Sequence, residues 1–252
     1  MKRITDSFWN EIKNVIPVKK SKVGRPEWPA RRVLEGVLYV LENGCKWLAM
    51  PKEFGKAKTI HGKFMKWCKE GVFQNIQKIL IKKYTAQKTP NWFAIDGSHR
   101  KATFAKWGGK NPTDRARNGI KIHLIVDWHG APLECTFGPS NEHDSKQFKS
   151  LTDKLYLTLP PTEPTIIAAD AAYDANNLRA DATSKGYILM ASTNKRRDKA
   201  KRTYHPSGRW IIERTFGWLN WYRGLKICWA KQEISYASLF IFACSIRLFE
   251  ML

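Results

Sequence analysis

Residues 91–100 read NWFAIDGSHR. The run Trp92-Phe93-Ala94-Ile95 is apolar, aromatic and β-branched, the pattern of a short buried strand. It predicts a strand over Trp92–Ile95 with a carboxylate, Asp96, at its tip and the cations Arg100 and Lys101 close behind. A second stretch, Thr165-Ile-Ile-Ala-Ala169, ends the same way on Asp170, before Ala171-Ala172. A lone aspartate at a strand end commonly only shapes a turn. Two in one sheet point to a site, because α/β folds place their chemistry at the carboxyl ends of strands.

Around these strands the hydrophobic period changes twice. Before residue 90 it is helical. Val33, Leu34, Val37, Leu38 and Leu41 recur on one face after Pro29, and Gly44 closes the segment. Thr59 can cap a second helix through Phe64 and Trp67, and a third carries Phe73, Ile76, Ile79 and Leu80. Arg31, Arg32, Lys63, Lys66, Lys69, Lys82 and Lys83 fall on the outer faces, so residues 1–88 read as a small helical, helix-turn-helix-like region that could bind DNA. From residue 89 onward, strands are expected at Trp92–Ile95, Lys121–Asp127, Pro132–Phe137, Thr165–Ala169 and Tyr187–Ala191. Helices are expected through Phe148–Leu155 and Leu178–Lys185, with two more after residue 209. The fold class is mixed α/β (α+β), a sheet flanked by helices.

Charge sets the partner. The 252 residues hold 44 Lys+Arg against 22 Asp+Glu, a net charge of +22, which favours a polyanion. DNA is the first candidate. A membrane is disfavoured, because the apolar segment from Tyr236 to Leu252 is short of the roughly 20 residues a span needs and carries Arg247 and Glu250. The five cysteines are widely spaced without a Cys-x-x-Cys, so a reducing cytoplasm is expected and a zinc knuckle is not.

A third carboxylate is available on the helix RWIIERTFGWLNWYR, residues 209–223. Arg209, Glu213 and Asn220 share one face, and Gly217 leaves room beside it. The bland alternative is an Arg209–Glu213 ion pair at i,i+4. The chemical alternative is a hard-metal site, since oxygen ligands suit Mg²⁺ or Mn²⁺ and crowded carboxylates need cations. Two ions about 3.5–4 Å apart would suit in-line phosphoryl displacement.

Three stretches then resemble one family. AIDGSH at 94–99, AADAAYD at 168–174 and RWIIERTFGWLNWYR at 209–223 look like the catalytic segments of bacterial insertion-sequence DDE transposases, with an RNase H-like core. KWLAMPKEFG at 46–55, MKWCKEGVF at 65–73, NGIKIHLIVDWHGAPL at 118–133 and NEHDSKQF at 141–148 resemble the insertion-sequence-five-like group. The resemblance runs from about residue 24 to 250. It implies a DDE triad of Asp96, Asp170 and Glu213 that is both catalytic and metal-binding. It implies DNA contacts by Lys195, Arg196, Arg197, Arg202, Arg209, Arg214 and Arg223. The Tyr-x2-Arg-x3-Glu-x6-Lys pattern of many relatives is kept only at Arg209 and Glu213, with Pro206 and Asn220 at the outer positions.

The implied activity is cleavage at the element's terminal inverted repeats and joining to target DNA, by a homodimer working on the bacterial nucleoid. The alternatives are an RNase H-like nuclease without strand transfer and a silent transposase-derived DNA-binding protein. Among other residues, Asp127 is expected to shape a turn, Asp144 and Asp174 to cap helices, and Asp181 to face solvent. His143 is expected near the site, Trp67 and Trp92 in the core, and Trp218, Trp221 and Trp229 either packed or stacked on bases.

Overall fold

The computed structural model describes residues 4–17, 27–194 and 206–252. Helices come first: α1 (Asp6–Ile12), α2 (Ala30–Asn43), α3 (Ala57–Lys69) and α4 (Val72–Gln87). The stripe Val33, Leu34, Val37, Leu38, Val40 and Leu41 is buried on α2, and Gly44 ends the helix in the left-handed region at φ 64°. Helix α3 starts two residues before Thr59, with Lys56 at its N-cap position and no side-chain cap. Gly71, at φ 69°, makes the tight turn from α3 into α4. Some of the expected basic faces are internally paired: Arg31 with Asp6, Lys63 with Glu27, and Lys83 with Glu11.

The sheet follows: β1 (Trp92–Lys101), β2 (Gly109–Lys110), β3 (Asn118–Asp127), β4 (Pro132–Pro139), β5 (Thr165–Ala169) and β6 (Tyr187–Ala191). Helix α5 (Ser145–Thr158) links β4 to β5, and α6 (Asn176–Ser184) links β5 to β6. The chain closes with α7 (Trp210–Leu219), α8 (Arg223–Lys226) and α9 (Glu233–Phe249). Strands β4, β3 and β1 pair antiparallel, whereas β1, β5 and β6 pair parallel, so the sheet is mixed. All but one residue of β3 is buried, as a central strand covered on both faces requires.

Two expectations change. Strand β1 does not stop at Ile95 but continues through Lys101, held by antiparallel pairing with β3 as far as Lys101↔Gly119. Asp96 therefore stands in mid-strand rather than at a tip. The expected long helix after residue 209 breaks between Leu219 and Arg223 into α7 and α8.

One apolar core runs from Ile4 to Leu248 through both the helices and the sheet. Helix α4 lies along α9 and bonds directly to the sheet edge. Gln77 Nε2 donates to the Leu133 carbonyl at 3.1 Å, and the Tyr84 hydroxyl donates to Asp127 Oδ2 at 2.6 Å. Asp127 shapes the turn as expected, its Oδ1 accepting from the His129 and Ala131 amides at 2.9 Å each. No helix among the described residues is long and apolar enough to cross a membrane. Helix α9, the apolar C-terminal segment, is buried instead.

Candidate active site

Strand pairing sets the first two carboxylates side by side. The last paired positions of β1 and β5 are Ala94↔Ala168, and Asp96 and Asp170 each lie two residues further on. Side chains alternate along a strand, so both carboxylates fall on the face carrying Ala94 and Ala168. Asp170 is fixed by a local turn, its Oδ1 accepting from the Ala172 amide at 2.9 Å. Asp96 Oδ1 accepts from the Gly97 amide at 2.7 Å. Burial, reinforced by the Asp170 charge, pushes the Asp96 carboxyl up to about 6, although the Gly97 amide and Arg209 work against the shift.

Helix α7 covers the same face of β1. Arg100, two alternations beyond Asp96, donates to Asn220 Oδ1 at 2.8 Å, and its guanidinium lies 5.9 Å from the Phe216 ring centre. Ile211, Ile212, Thr215, Phe216 and Leu219 are buried beneath the helix. Arg209 precedes its first turn and faces Asp96 closely enough to lower its proton affinity. The helical stripe through Arg209 and Asn220 is thus pinned near β1 at both ends, and Glu213 lies on that stripe between them. Its side chain is exposed, and a Cβ on neighbouring Gly217 would meet nothing within 4 Å, so the space there is open. In place of the alternative i,i+4 ion pair with Glu213, Arg209 approaches Asp96, and Arg209 Nε is buried without a hydrogen-bond partner.

The oxygen donors suit a hard divalent cation. Asp96 and Asp170 are adjacent, Asp96 is driven toward protonation by burial and by that neighbour, and a cation would relieve both effects. Glu213 is not drawn into contact with them. Among the described residues, no three His, Cys, Asp or Glu side chains stand close enough together to hold an ion.

The opposite face of β1 holds groups that sequence reasoning assigned elsewhere. Asp144 occupies the N-cap position of α5 but makes no side-chain capping bond. Its carboxylate pairs with Lys121 Nζ at 3.0 Å and stands 3.7 Å from His123 Nδ1. It also presses on Gly97, where a Cβ would sit only 2.7 Å from Asp144 Oδ1. His123 is fully buried with neither ring nitrogen hydrogen-bonded, and burial lowers its pKa to about 4, so it is neutral at pH 7. The signal for this cluster lay in β3 itself. A lysine and a histidine alternate within the apolar run IKIHLIV, on the side that Gly97 leaves open.

Other expectations shift too. Asp174 binds the Asn194 amide at 2.9 Å and Arg179 at 2.8 Å, whereas α6 starts after Ala175. Asp181 is partly buried, gathering Lys149 and Lys185. His143 bonds to Ser145 at 2.8 Å. Trp67 is fully buried and Trp92 partly so. Arg214 is sandwiched between Trp210 and Trp218, at 4.8 and 4.6 Å from their ring centres, and donates to the His129 carbonyl. Arg223 is exposed. Lys195, Arg196, Arg197 and Arg202 lie outside the described residues.

Comparison with known proteins supplies the family. Residues 87–248 match the family described as "Transposase DDE domain", and residues 4–77 match "Putative transposase of IS4/5 family". A "Putative transposase for insertion sequence element IS402" from Burkholderia cepacia is 33% identical over 135 residues, covering 48% of this chain and 61% of that protein. The chain thus spans about three-fifths of that relative's length. A second IS402 protein from the same organism, described as an uncharacterized 16.2 kDa protein, is 28% identical over 40% of this chain and 75% of its own. In fold, the chain is similar to the piggyBac transposase of a synaptic complex with hairpin DNA. The TM-score is 0.50 at 10% identity, covering 98% of this chain and 73% of that one. The mixed sheet with its flanking helices is the RNase H-like arrangement of that catalytic core. With the DDE match spanning well over half its length, the chain belongs to the DDE transposase family of insertion sequences.

Proposed function

We propose that the protein is a DNA transposase that binds the ends of its own insertion sequence, cleaves them and joins them to target DNA. The observation that supports this most is the matched placing of Asp96 and Asp170, each two residues beyond the last paired positions of β1 and β5, on the face of β1 that α7 crosses with Arg209 and Glu213. Asp96 and Asp170 would hold the divalent metal, Mg²⁺ or Mn²⁺ and two ions in the working complex, with Glu213, apart from them in this structure, joining the set when DNA is bound. Bound there, the metal supplies Lewis-acid charge for phosphoryl transfer.

The chain's own residues do the rest. Arg209, already aimed at Asp96, would grip a non-bridging phosphate oxygen and bring the scissile phosphorus to the carboxylate pair. The open ground beside Gly217 leaves room for a DNA backbone to pass Glu213. Hydrolysis would free a 3′-hydroxyl, and that hydroxyl would then attack a target phosphodiester in line. Both steps are displacements at phosphorus, so one site serves both.

DNA outside the site would be held by Arg223 and the basic run Lys195, Arg196, Arg197 and Arg202. Arg214, locked between two tryptophans, would stiffen α7 more than it grips phosphate. A cleft of about 1010 Å³ beside α3, lined by Trp28, Leu48, Lys52, Lys56, Lys63 and Lys66, supports the assignment of residues 1–88 to end binding. Joining two ends calls for two active sites, hence a homodimer in the active complex.

The test is an incubation of purified protein, Mg²⁺, and duplexes carrying the repeats that flank the gene, with plasmid as target. Joined product that vanishes in Asp96→Asn, Asp170→Asn and Glu213→Gln supports the reading. Cleavage without joining would make the protein a nuclease instead.

A further inference from the structure

Beyond the carboxylate site, two exposed aromatic rings face each other at the far end of β1. Phe104 and Trp229 are 52% and 56% exposed, with ring centres 6.0 Å apart. Large apolar groups paired in water are costly unless something covers them. The segments carrying them are fixed. Lys101 and Ile227 form a parallel bridge, and the Cys228 amide donates to the Lys101 carbonyl at 2.8 Å. The pair therefore stands on a rigid platform continuous with the strand that carries Asp96.

Lysines surround it. Lys101 is itself part of the bridge and Lys226 precedes its partner Ile227, while Lys106 and Lys231 follow Phe104 and Trp229 by two residues each, and all four are exposed. The nearby Asp114 lies 3.8 Å from Lys101, too far and too exposed a contact to cancel this charge. An apolar tip ringed by cations complements duplex DNA, where the phosphates meet lysines and the rings meet base steps.

We infer that Phe104 and Trp229 form an aromatic wedge that inserts at a base step of duplex DNA. The inference rests on the DNA-binding reading above and adds a second contact to it. Asp96 and Lys101 are five residues apart on one extended strand, about 17 Å at 3.3 Å per residue. At 3.4 Å per nucleotide the wedge meets the duplex about five base pairs from the phosphate held at Asp96. Unstacking that step bends the duplex, so the same DNA reaches both the wedge and the catalytic face.

The test uses full-length Asp96→Asn protein in EDTA, which separates binding from cleavage. The probe is a 30-base-pair duplex of arbitrary sequence, with and without 2-aminopurine as a reporter of unstacking. Phe104→Ala/Trp229→Ala should bind about tenfold more weakly and abolish the 2-aminopurine rise seen at saturation. Lys101→Gln/Lys106→Gln/Lys226→Gln/Lys231→Gln should flatten the slope of log K against log salt by about 3 to 4. Leu157→Ala, an exposed apolar change on α5, should do neither.

Unchanged duplex affinity and reporter signal in the aromatic variant would overturn the inference. So would a loss confined to single-stranded DNA, or a dimer-to-monomer shift in sedimentation without DNA, which would assign the pair to a second copy. Failure of the unmodified chain to bind any duplex would instead sink the transposase reading itself.

Discussion

Replacing Asp96 by asparagine should stabilise the metal-free protein while abolishing cleavage. The amide is nearly isosteric and its oxygen can still accept from the Gly97 amide, so the change removes one charge and little else. Burial and Asp170 raise the carboxyl from 3.8 to about 6, roughly 2 units, which at about 1.36 kcal/mol per unit is a ceiling of about 3 kcal/mol. The sign follows from linkage. A carboxyl whose pKa is higher folded than unfolded stabilises the fold while protonated, and that stability is lost as pH rises from about 4 through about 6. Wild type and variant should therefore melt close together near pH 4, diverge as pH rises through about 6, and stay apart by a constant margin above about pH 6.5. At about 2–4 °C per kcal/mol for a chain of this size, the variant should melt on the order of 5–10 °C higher at pH 8 in EDTA. Mg²⁺ should then raise the wild-type Tm and close much of the gap. Differential scanning calorimetry over pH 4–8, with and without Mg²⁺, measures all of this. A variant no more stable than wild type at pH 8, or one offset equally at pH 4 and pH 8, would refute the electrostatic account of the site.

Three further expectations test other parts. Arg209→Ala should lower cleavage by about 10²–10³-fold, as loss of a preorganised charge at a reacting phosphate does, and single-turnover kinetics would show it. Gly97→Ala should cost about 1–3 kcal/mol in urea unfolding, because the new Cβ meets Asp144 Oδ1 at 2.7 Å and Lys121 holds that carboxylate in place. Tyr84→Phe should cost about 1–3 kcal/mol by leaving the buried Asp127 short of a donor, yet leave Mg²⁺-dependent stabilisation intact.

Much of this fold was legible because burial writes itself as periodicity. The runs IIAA and YILMA gave β5 and β6 to the residue, and Asp127-Trp-His-Gly130 gave the hairpin. The outer half of β1 was not legible, because Gly97, Ser98, His99 and Arg100 have no strand-like alternation. What holds them extended is the antiparallel partner, a non-local pairing absent from the local sequence. Asp96 and Asp170 could be picked out because each follows an apolar run. Asp144 could not be read correctly, since an aspartate before a helix has an ordinary role as a cap. Only the fold reveals that Lys121 and His123 claim it. Helical spacing put Glu213 on one stripe with Arg209 and Asn220, but its separation from the aspartates is tertiary information.

The shared core has a consequence for where a cut falls. Tyr84 bonded to Asp127, and α4 laid along α9, tie the N-terminal helices to the strand hairpin beside the carboxylates through one shared core. DNA gripped beside α3 and reacting at Asp96 would therefore be measured by a rigid caliper. The distance from the recognised sequence to the broken bond would be a fixed number of base pairs, set by the span of the protein. Lengthening the α3–α4 turn would reset that number, whereas altering the DNA between the two contacts would not.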